Sequence, residues 1–366
     1  MKIVIISGWA YPNSTPRSFR ATELAKYLVK EGHDVTHYFM PVEGFDYAEY
    51  MKQTGIKVKS LGKTKYVKSP GSATHAMSLL RRARLRLLNK LIEFPMIELA
   101  FKTYDILKEC RHVDLLITIA YPFPIHWGAA WAKKKMGDEF PKKWISDCGD
   151  PYMGNSVHKP LPYFQLVEDF WGRQTDYITI PIEEGRKAYS KKVQDKIRII
   201  PQGFDFSNIR IDTSFGDNEI PHFIYAGIVY KGYRDPSAFL EYLCELKTDF
   251  RFIVYTKSKE AFNAYKGRLG EKLVINDYIP RDELIYKMSQ MDFLINLLNN
   301  NSVQSPSKLI DYALAGRPIL DISSSFVEKE NFDNFMKGDY SNKHVDIEVQ
   351  RYNIENVGKQ FLQLAK

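Results

Sequence analysis

Short apolar runs alternate with helix-length segments along this chain in two separate series, and that alternation restricts the fold to parallel α/β layers. The first series predicts strands over residues 2–7, 35–39, 115–120, 144–147, 177–180 and 197–200. Helices are predicted between them over 18–30, 76–93, 96–109 and 127–136, with Gly32 closing the first and Pro95 separating the second from the third. The second series predicts strands over 222–226, 252–255, 273–275, 293–297 and 319–322, with helices over 236–247, 281–291 and 306–315. Pro201-Gln202-Gly203 is a turn signal between the two. The expected division is an N-terminal domain over 1–203, a second over 204–350, and a helix over 351–366 packing back on the first. A chain of 366 residues suits two domains that each bury a core. Doubly wound sheets bind ligands beyond the carboxyl ends of their strands, so two such domains facing one another would enclose a cleft.

Composition and charge narrow the partners. With 44% hydrophobic and 14% aromatic residues, disorder is excluded. Cys110, Cys148 and Cys244 are widely spaced and form no C-x-x-C pair, which predicts a reducing cytoplasm and no metal site. The opening MKIVIIS is too short for a leader core, and the apolar stretch 113–132 is broken by Asp114, Pro122, Pro124 and His126. The protein is therefore expected in the cytoplasm, with peripheral attachment to the inner face of the cytoplasmic membrane as an option. Residues 1–200 hold 32 Lys and Arg against 21 Asp and Glu, an excess of +11, while residues 201–366 hold 20 against 23, or −3. Residues 76–94 contribute five basic residues, with Met77, Leu80, Leu87, Leu88 and Leu91 falling largely opposite Arg81, Arg82, Arg84, Arg86 and Lys90. Such a helix suits an anionic membrane surface, each basic residue contributing about 1 kcal/mol, and it equally suits a packed helix with a charged outer face. Nucleic acid is not an expected partner, since no base-stacking aromatics interleave with the basic residues.

The most informative chemistry lies in SPSKLIDYALAGRPIL, residues 305–320. Ser305 suits an N-cap and Pro306 the first helical position, while Gly316 and Pro318 end the helix. The amides of Ser307 and Lys308 then lack intrahelical partners, and the helix dipole favours an anion there. Asp311 follows Ser307 by four residues on the same face, where its carboxylate could accept hydrogen bonds from a sugar diol. Diphosphate beside ribose describes a nucleotide. The same residues also suit a well-capped helix with Lys308 solvated and Asp311 exposed.

This segment resembles the donor-site signature of retaining glycosyltransferases of family 4, which have the GT-B fold of two facing Rossmann-like domains. In that family the second carboxylate of an E-x7-E pair grips the nucleotide ribose, and Asp311 occupies its place, with Val303 at the place of the first. VQDKIRIIPQGFD, residues 193–205, is similar to the family's segment leading to the interdomain linker. YAGIVYKGYRDP, residues 225–236, is similar to the glycine turn whose basic residue contacts the donor diphosphate, a role for Arg234 or Lys231. YPFPIHWGAAWAKK and KWISDCGDPY match a segment with an active-site histidine and an acidic pair, placing His126, Asp147 and Asp150, with Gly149 where the family has arginine. A histidine in an apolar segment also suits a satisfied core residue.

The resemblance implies a retaining glycosyltransferase of the bacterial surface-polysaccharide type. It would move a sugar from a nucleotide-diphosphate sugar, with UDP favoured, to a glycan or lipid-linked acceptor hydroxyl. No separate cofactor is expected. His126, Asp150, Arg234 and Lys308 would act catalytically. Gly8, Lys231, Thr256, Tyr278, Ile279, Val303, Gln304, Ser307 and Asp311 would bind the donor. Retaining enzymes of this fold lack a clear protein nucleophile, so the leaving diphosphate is expected to help deprotonate the acceptor. The loop from Gly8 to Arg17 and Arg20 would border the acceptor side, unless those arginines are solvated surface residues. A nucleotide-sugar epimerase of the same fold and a non-catalytic sugar-binding protein are the alternatives.

Overall fold

The computed structural model describes residues 1–13, 15–67, 79–155, 159–216, 218–229, 232, 234–298 and 308–366. The chain divides into two compact units, Met1–Asp205 together with Arg351–Lys366, and Phe206–Gln350.

In the first unit seven strands form one parallel sheet: β1 (Lys2–Ser7), β2 (Asp34–Phe39), β3 (Lys57–Ser60), β4 (Leu115–Ala120), β5 (Lys143–Cys148), β6 (Tyr177–Ile180) and β7 (Ile197–Ile199). Their order is β3-β2-β1-β4-β5-β6-β7, so the winding reverses between β1 and β4. β4 is buried at all six positions, as a strand covered on both faces must be. Helices α1 (Pro16–Lys30), α2 (Tyr47–Thr54), α3 (Leu79–Ile92), α4 (Glu98–Glu109), α5 (Pro124–Met136) and α6 (Phe164–Gln174) connect the strands. α1 begins two residues before the predicted start because Thr15 caps it, its hydroxyl accepting from the Ser18 amide at 3.2 Å. Leu24, Ala25 and Leu28 of α1 pack with Ile3, Ile5 and Ile117 on one face of the sheet. On the other face α5 packs against α4, and Gly128 is needed there, since a Cβ would lie 2.2 Å from the Ala100 carbonyl.

The second unit holds the parallel sheet β10-β9-β8-β11-β12. Its strands are β8 (His222–Ala226), β9 (Arg251–Tyr255), β10 (Leu273–Asn276), β11 (Phe293–Leu297) and β12 (Ile319–Ile322). Winding reverses between β8 and β11. Phe223 stacks on Phe252 and Phe293 at 5.0 and 4.9 Å, filling one face. The helices are α7 (Ser237–Glu245), α8 (Glu260–Leu269), α9 (Arg281–Ser289), α10 (Lys308–Ala315) and α11 (Lys329–Phe335). The chain then returns to the first unit. A bridge pairs Phe204 with Asn353, and α12 (Ile354–Leu364) buries Ile354, Val357 and Phe361 in the α1 side of that core.

Five elements lay outside the sequence reading, the seven-residue α11 among them. β3 is a sheet edge with the largely exposed pattern KVKS, which carries no apolar run. α6 buries Glu168 and Asp169, which interrupt its apolar periodicity. α2 is two turns long and recognisable only by its Asp46 cap, and α8 buries only Phe262 and Leu269. Among the described residues no helix is long and apolar enough to cross a membrane.

Candidate functional site

The carboxyl ends of β8 and β11, where the second sheet reverses, open beside the start of α10. Gly227 follows β8 with a φ of 149°, a conformation side-chain-bearing residues rarely adopt. The Tyr312 hydroxyl ties α10 to this turn, accepting from the Ala226 amide at 2.9 Å. Lys308 opens the helix. Its Nζ is buried and lies 5.1 Å from the Tyr225 ring centre and 5.8 Å from that of Tyr312, with no hydrogen-bond partner among the described residues. Burial, and then the like charge of Arg234, push its ammonium down to about 7. The solvated reading of Lys308 is therefore corrected. Arg234 donates to the Ile228 carbonyl at 3.3 Å, which holds it in the glycine turn near Lys308. Lys308 and Arg234 thus place two cations at this corner, Lys308 without a hydrogen-bond partner among the described residues.

Asp311 lies one turn further along α10 and is not free. Its Oδ1 accepts from Arg281 Nε at 2.8 Å, and Arg281 Nη2 sits 2.6 Å from the same oxygen without hydrogen-bonding geometry. Burial raises the Asp311 carboxyl above its usual range while Arg281 pulls it down. No described residue hydrogen bonds to Oδ2. Arg281 was missed in the sequence, because only the fold brings the first turn of α9 beside a residue thirty positions later. Thr256 is fully buried and caps the loop after β9 by accepting from the Ser258 amide at 2.9 Å. Tyr278 is half exposed with Lys257 over its ring at 5.1 Å, and Ile279 beside it is partly buried. Lys231, Val303, Gln304 and Ser307 lie outside the described residues.

In the first unit Gly8 ends β1 against Pro122, where a Cβ would lie 2.4 Å from the proline Cδ. That close approach requires glycine irrespective of any ligand. Asp147 is buried and bound twice by Arg20, Oδ1 to Nη2 at 2.7 Å and Oδ2 to Nε at 3.0 Å, and Thr179 donates to it at 2.7 Å. Arg20 is thus a buried structural partner and not a surface residue. Asp150 is exposed.

His126, expected at a cleft, is corrected by the structure. It is 0% exposed, with Nδ1 2.8 Å from the Thr118 hydroxyl and Nε2 3.4 Å from Cys148 Sγ. Burial drives its imidazole down to about 3, so it is neutral at physiological pH and has no open face toward a substrate. The helix start after Pro124 that suggested an accessible residue turns this side chain onto the sheet instead. No group of three or more His, Cys, Asp or Glu among the described residues could hold a metal.

Two doubly wound parallel sheets in one chain are the architecture of the GT-B class, and solved structures of that class superpose on the whole chain. The lipopolysaccharide outer core galactosyltransferase WaaB matches with a TM-score of 0.63 at 12% identity, over 100% of this chain and 99% of that one. Anabaena HepE, solved in complex with UDP and glucose, matches with a TM-score of 0.58 at 10% identity, over 99% and 98%. The UDP-GlcNAc 2-epimerase of Neisseria meningitidis, solved with UDP-GlcNAc, gives 0.57 at 12% identity over 100% and 99%. No family model and no curated protein sequence matches the chain.

Proposed function

We propose that this protein is a retaining glycosyltransferase that moves a sugar from a nucleotide-diphosphate sugar to a glycan or lipid-linked hydroxyl in surface polysaccharide assembly. The observation that carries the reading is the buried Lys308 ammonium, unpartnered among the described residues and beside Arg234 at the start of α10. A diphosphate would supply the missing negative charge, and the two cations with the helix dipole would stabilise it as the glycosidic bond breaks. Asp311 Oδ2 is left to accept from a ribose hydroxyl, while the Arg281 charge opposes the rise that burial imposes on this carboxyl. UDP is the favoured nucleotide, in line with the UDP complex of the similar HepE.

Incubation with labelled nucleotide sugars and acceptor tests the reading. Sugar transfer with release of the nucleoside diphosphate and retention at the anomeric carbon is the expected result. Isomerisation of the sugar without release would make the protein an epimerase, and binding without turnover a sugar-binding module. A thermal-shift comparison of UDP, GDP, dTDP, ADP and CMP identifies the base, because a bound ligand raises stability by mass action.

The acceptor side of this reading includes an anionic membrane as partner. None of residues 80–92 of α3 is buried, and Leu80, Leu87, Leu91 and Ile92 are 84%, 57%, 39% and 46% exposed. At 100° per residue Leu80, Leu87 and Leu91 fall within about 40° of one another, with Arg82 and Arg86 on the opposite side and Lys90 at the flank. An exposed apolar stripe flanked by cations complements a surface of anionic headgroups over acyl chains.

A further inference from the structure

The first sheet has its own reversal point, between β1 and β4, and the residues beyond it have no role in the donor site of the second unit. Trp9 and Tyr121 follow the two strands and stack with ring centres 6.2 Å apart, Tyr121 being 44% exposed. Arg17, in the first turn of α1, extends over Gly149 at the end of β5. A Cβ on Gly149 would lie 2.0 Å from Arg17 Cζ, so the guanidinium occupies the volume that any side chain at 149 would need. Arg17 makes no hydrogen bond or ion pair with a described residue. The nearest buried carboxylate, Asp147, already has both oxygens taken by Arg20 and one shared with Thr179. Asp150 is close enough to act on Arg17 through charge, yet it is exposed and receives no hydrogen bond from it. Burial pulls the Arg17 guanidinium below its ordinary range, the signature of a cation taken from water without full compensation.

We infer that Arg17, seated over Gly149 beside the Trp9–Tyr121 pair, binds an oxyanion carried by the acceptor, so that the acceptor is an anionic saccharide bearing a phosphate or a carboxylate. The planar guanidinium bridges two oxyanion oxygens, and the aromatic pair offers a face to the sugar ring. The inference rests on the glycosyltransferase reading for the word acceptor, but the anion site belongs to the first unit alone and is measured apart from nucleotide binding.

The test titrates the full chain with orthophosphate, glucuronate and glucose, with and without saturating UDP, following binding by calorimetry and thermal shift. The variants are Arg17→Gln, Arg17→Lys and Gly149→Ala. Wild type should bind orthophosphate or glucuronate saturably and glucose at least about tenfold more weakly. Arg17→Gln should lose about tenfold in anion affinity, with Arg17→Lys between the two. Gly149→Ala should lose as much as Arg17→Gln with no change of charge, since its methyl displaces the guanidinium, the movable end of a long side chain. UDP affinity should be unchanged in all three. Preference for orthophosphate over glucuronate assigns a phosphate-bearing acceptor, and the reverse a uronate. Wild-type anion affinity in both Arg17→Gln and Gly149→Ala, or no saturable anion binding by wild type, overturns the inference. If UDP fails to bind while anions do, the donor assignment falls and the anion site stands.

Discussion

Lys308 sets the sharpest expectation at the scale of single residues. Its folded-state value near 7 lies below the ordinary lysine value, so between about 7 and 10.5 the unfolded chain holds a proton that the ligand-free protein does not. This group therefore makes the free protein more stable as pH rises through that window, and most penalised below it. A diphosphate would restore the proton. UDP affinity should fall as pH rises from 7 to 9, with proton uptake visible as buffer-dependent binding enthalpy, and Lys308→Met should weaken UDP at least about tenfold and flatten the dependence. His126 acts in the same direction on its own unit, in a lower pH window. Its value near 3, like that of buried His37, means that stability is complete above 6.5 and is lost as pH falls toward 3. His126→Ala should cost roughly 2–4 kcal/mol, measured by denaturant unfolding, by opening a cavity and stranding Thr118. A normal melting temperature with lost transfer would return this histidine to the active site. These two residues mark how far the site was legible. SPSKLID announces a helix start with a carboxylate one turn on, because capping and periodicity are local. Neither the desolvation of Lys308 nor the Arg281 partner of Asp311 is local, and the burial of His126 depends on which way one turn of α5 faces a sheet that no short window contains.

At the scale of elements, α3 is the helix whose packing and sequence disagree, since Leu80, Leu87 and Leu91 are spaced for burial and yet are exposed. Binding to vesicles containing anionic lipid should be strong at 0.01 M salt and decline by 0.15 M, where the screening length shrinks from about 30 to about 8 Å. Replacing Arg81, Arg82, Arg84 and Arg86 with Gln should abolish sedimentation with those vesicles and spare transfer to a soluble acceptor. Equal sedimentation of both proteins would end the membrane assignment. The central strands were readable as strands because continuous apolar runs such as LLITIA admit little else once their length is counted. Edge strand β3 and helix α6 were not, because an edge needs no apolar run and a helix can bury carboxylates when backbone amides and Lys192 satisfy them.

At the scale of the whole molecule, two separate cores predict two unfolding transitions in calorimetry, with UDP raising only that of the 206–350 unit. Gly358 of α12 has no room for a side chain, as a Cβ would lie 2.0 Å from the Tyr27 ring. Gly358→Ala should therefore lower the other transition, by about 1–3 kcal/mol, and leave nucleotide affinity untouched. A single transition shifted by both would show that the units unfold as one. The return of α12 also imposes a timetable on birth of the chain. A ribosome completes residues 1–205 first, yet the last piece of that core, with Val357 and Phe361, emerges only after the intervening 206–350 stretch. At cellular elongation rates the delay is on the order of ten seconds. The unit made second is uninterrupted and can finish first, while the nascent earlier unit waits with the place of α12 beside α1 uncovered, a surface for a chaperone to guard until α12 emerges.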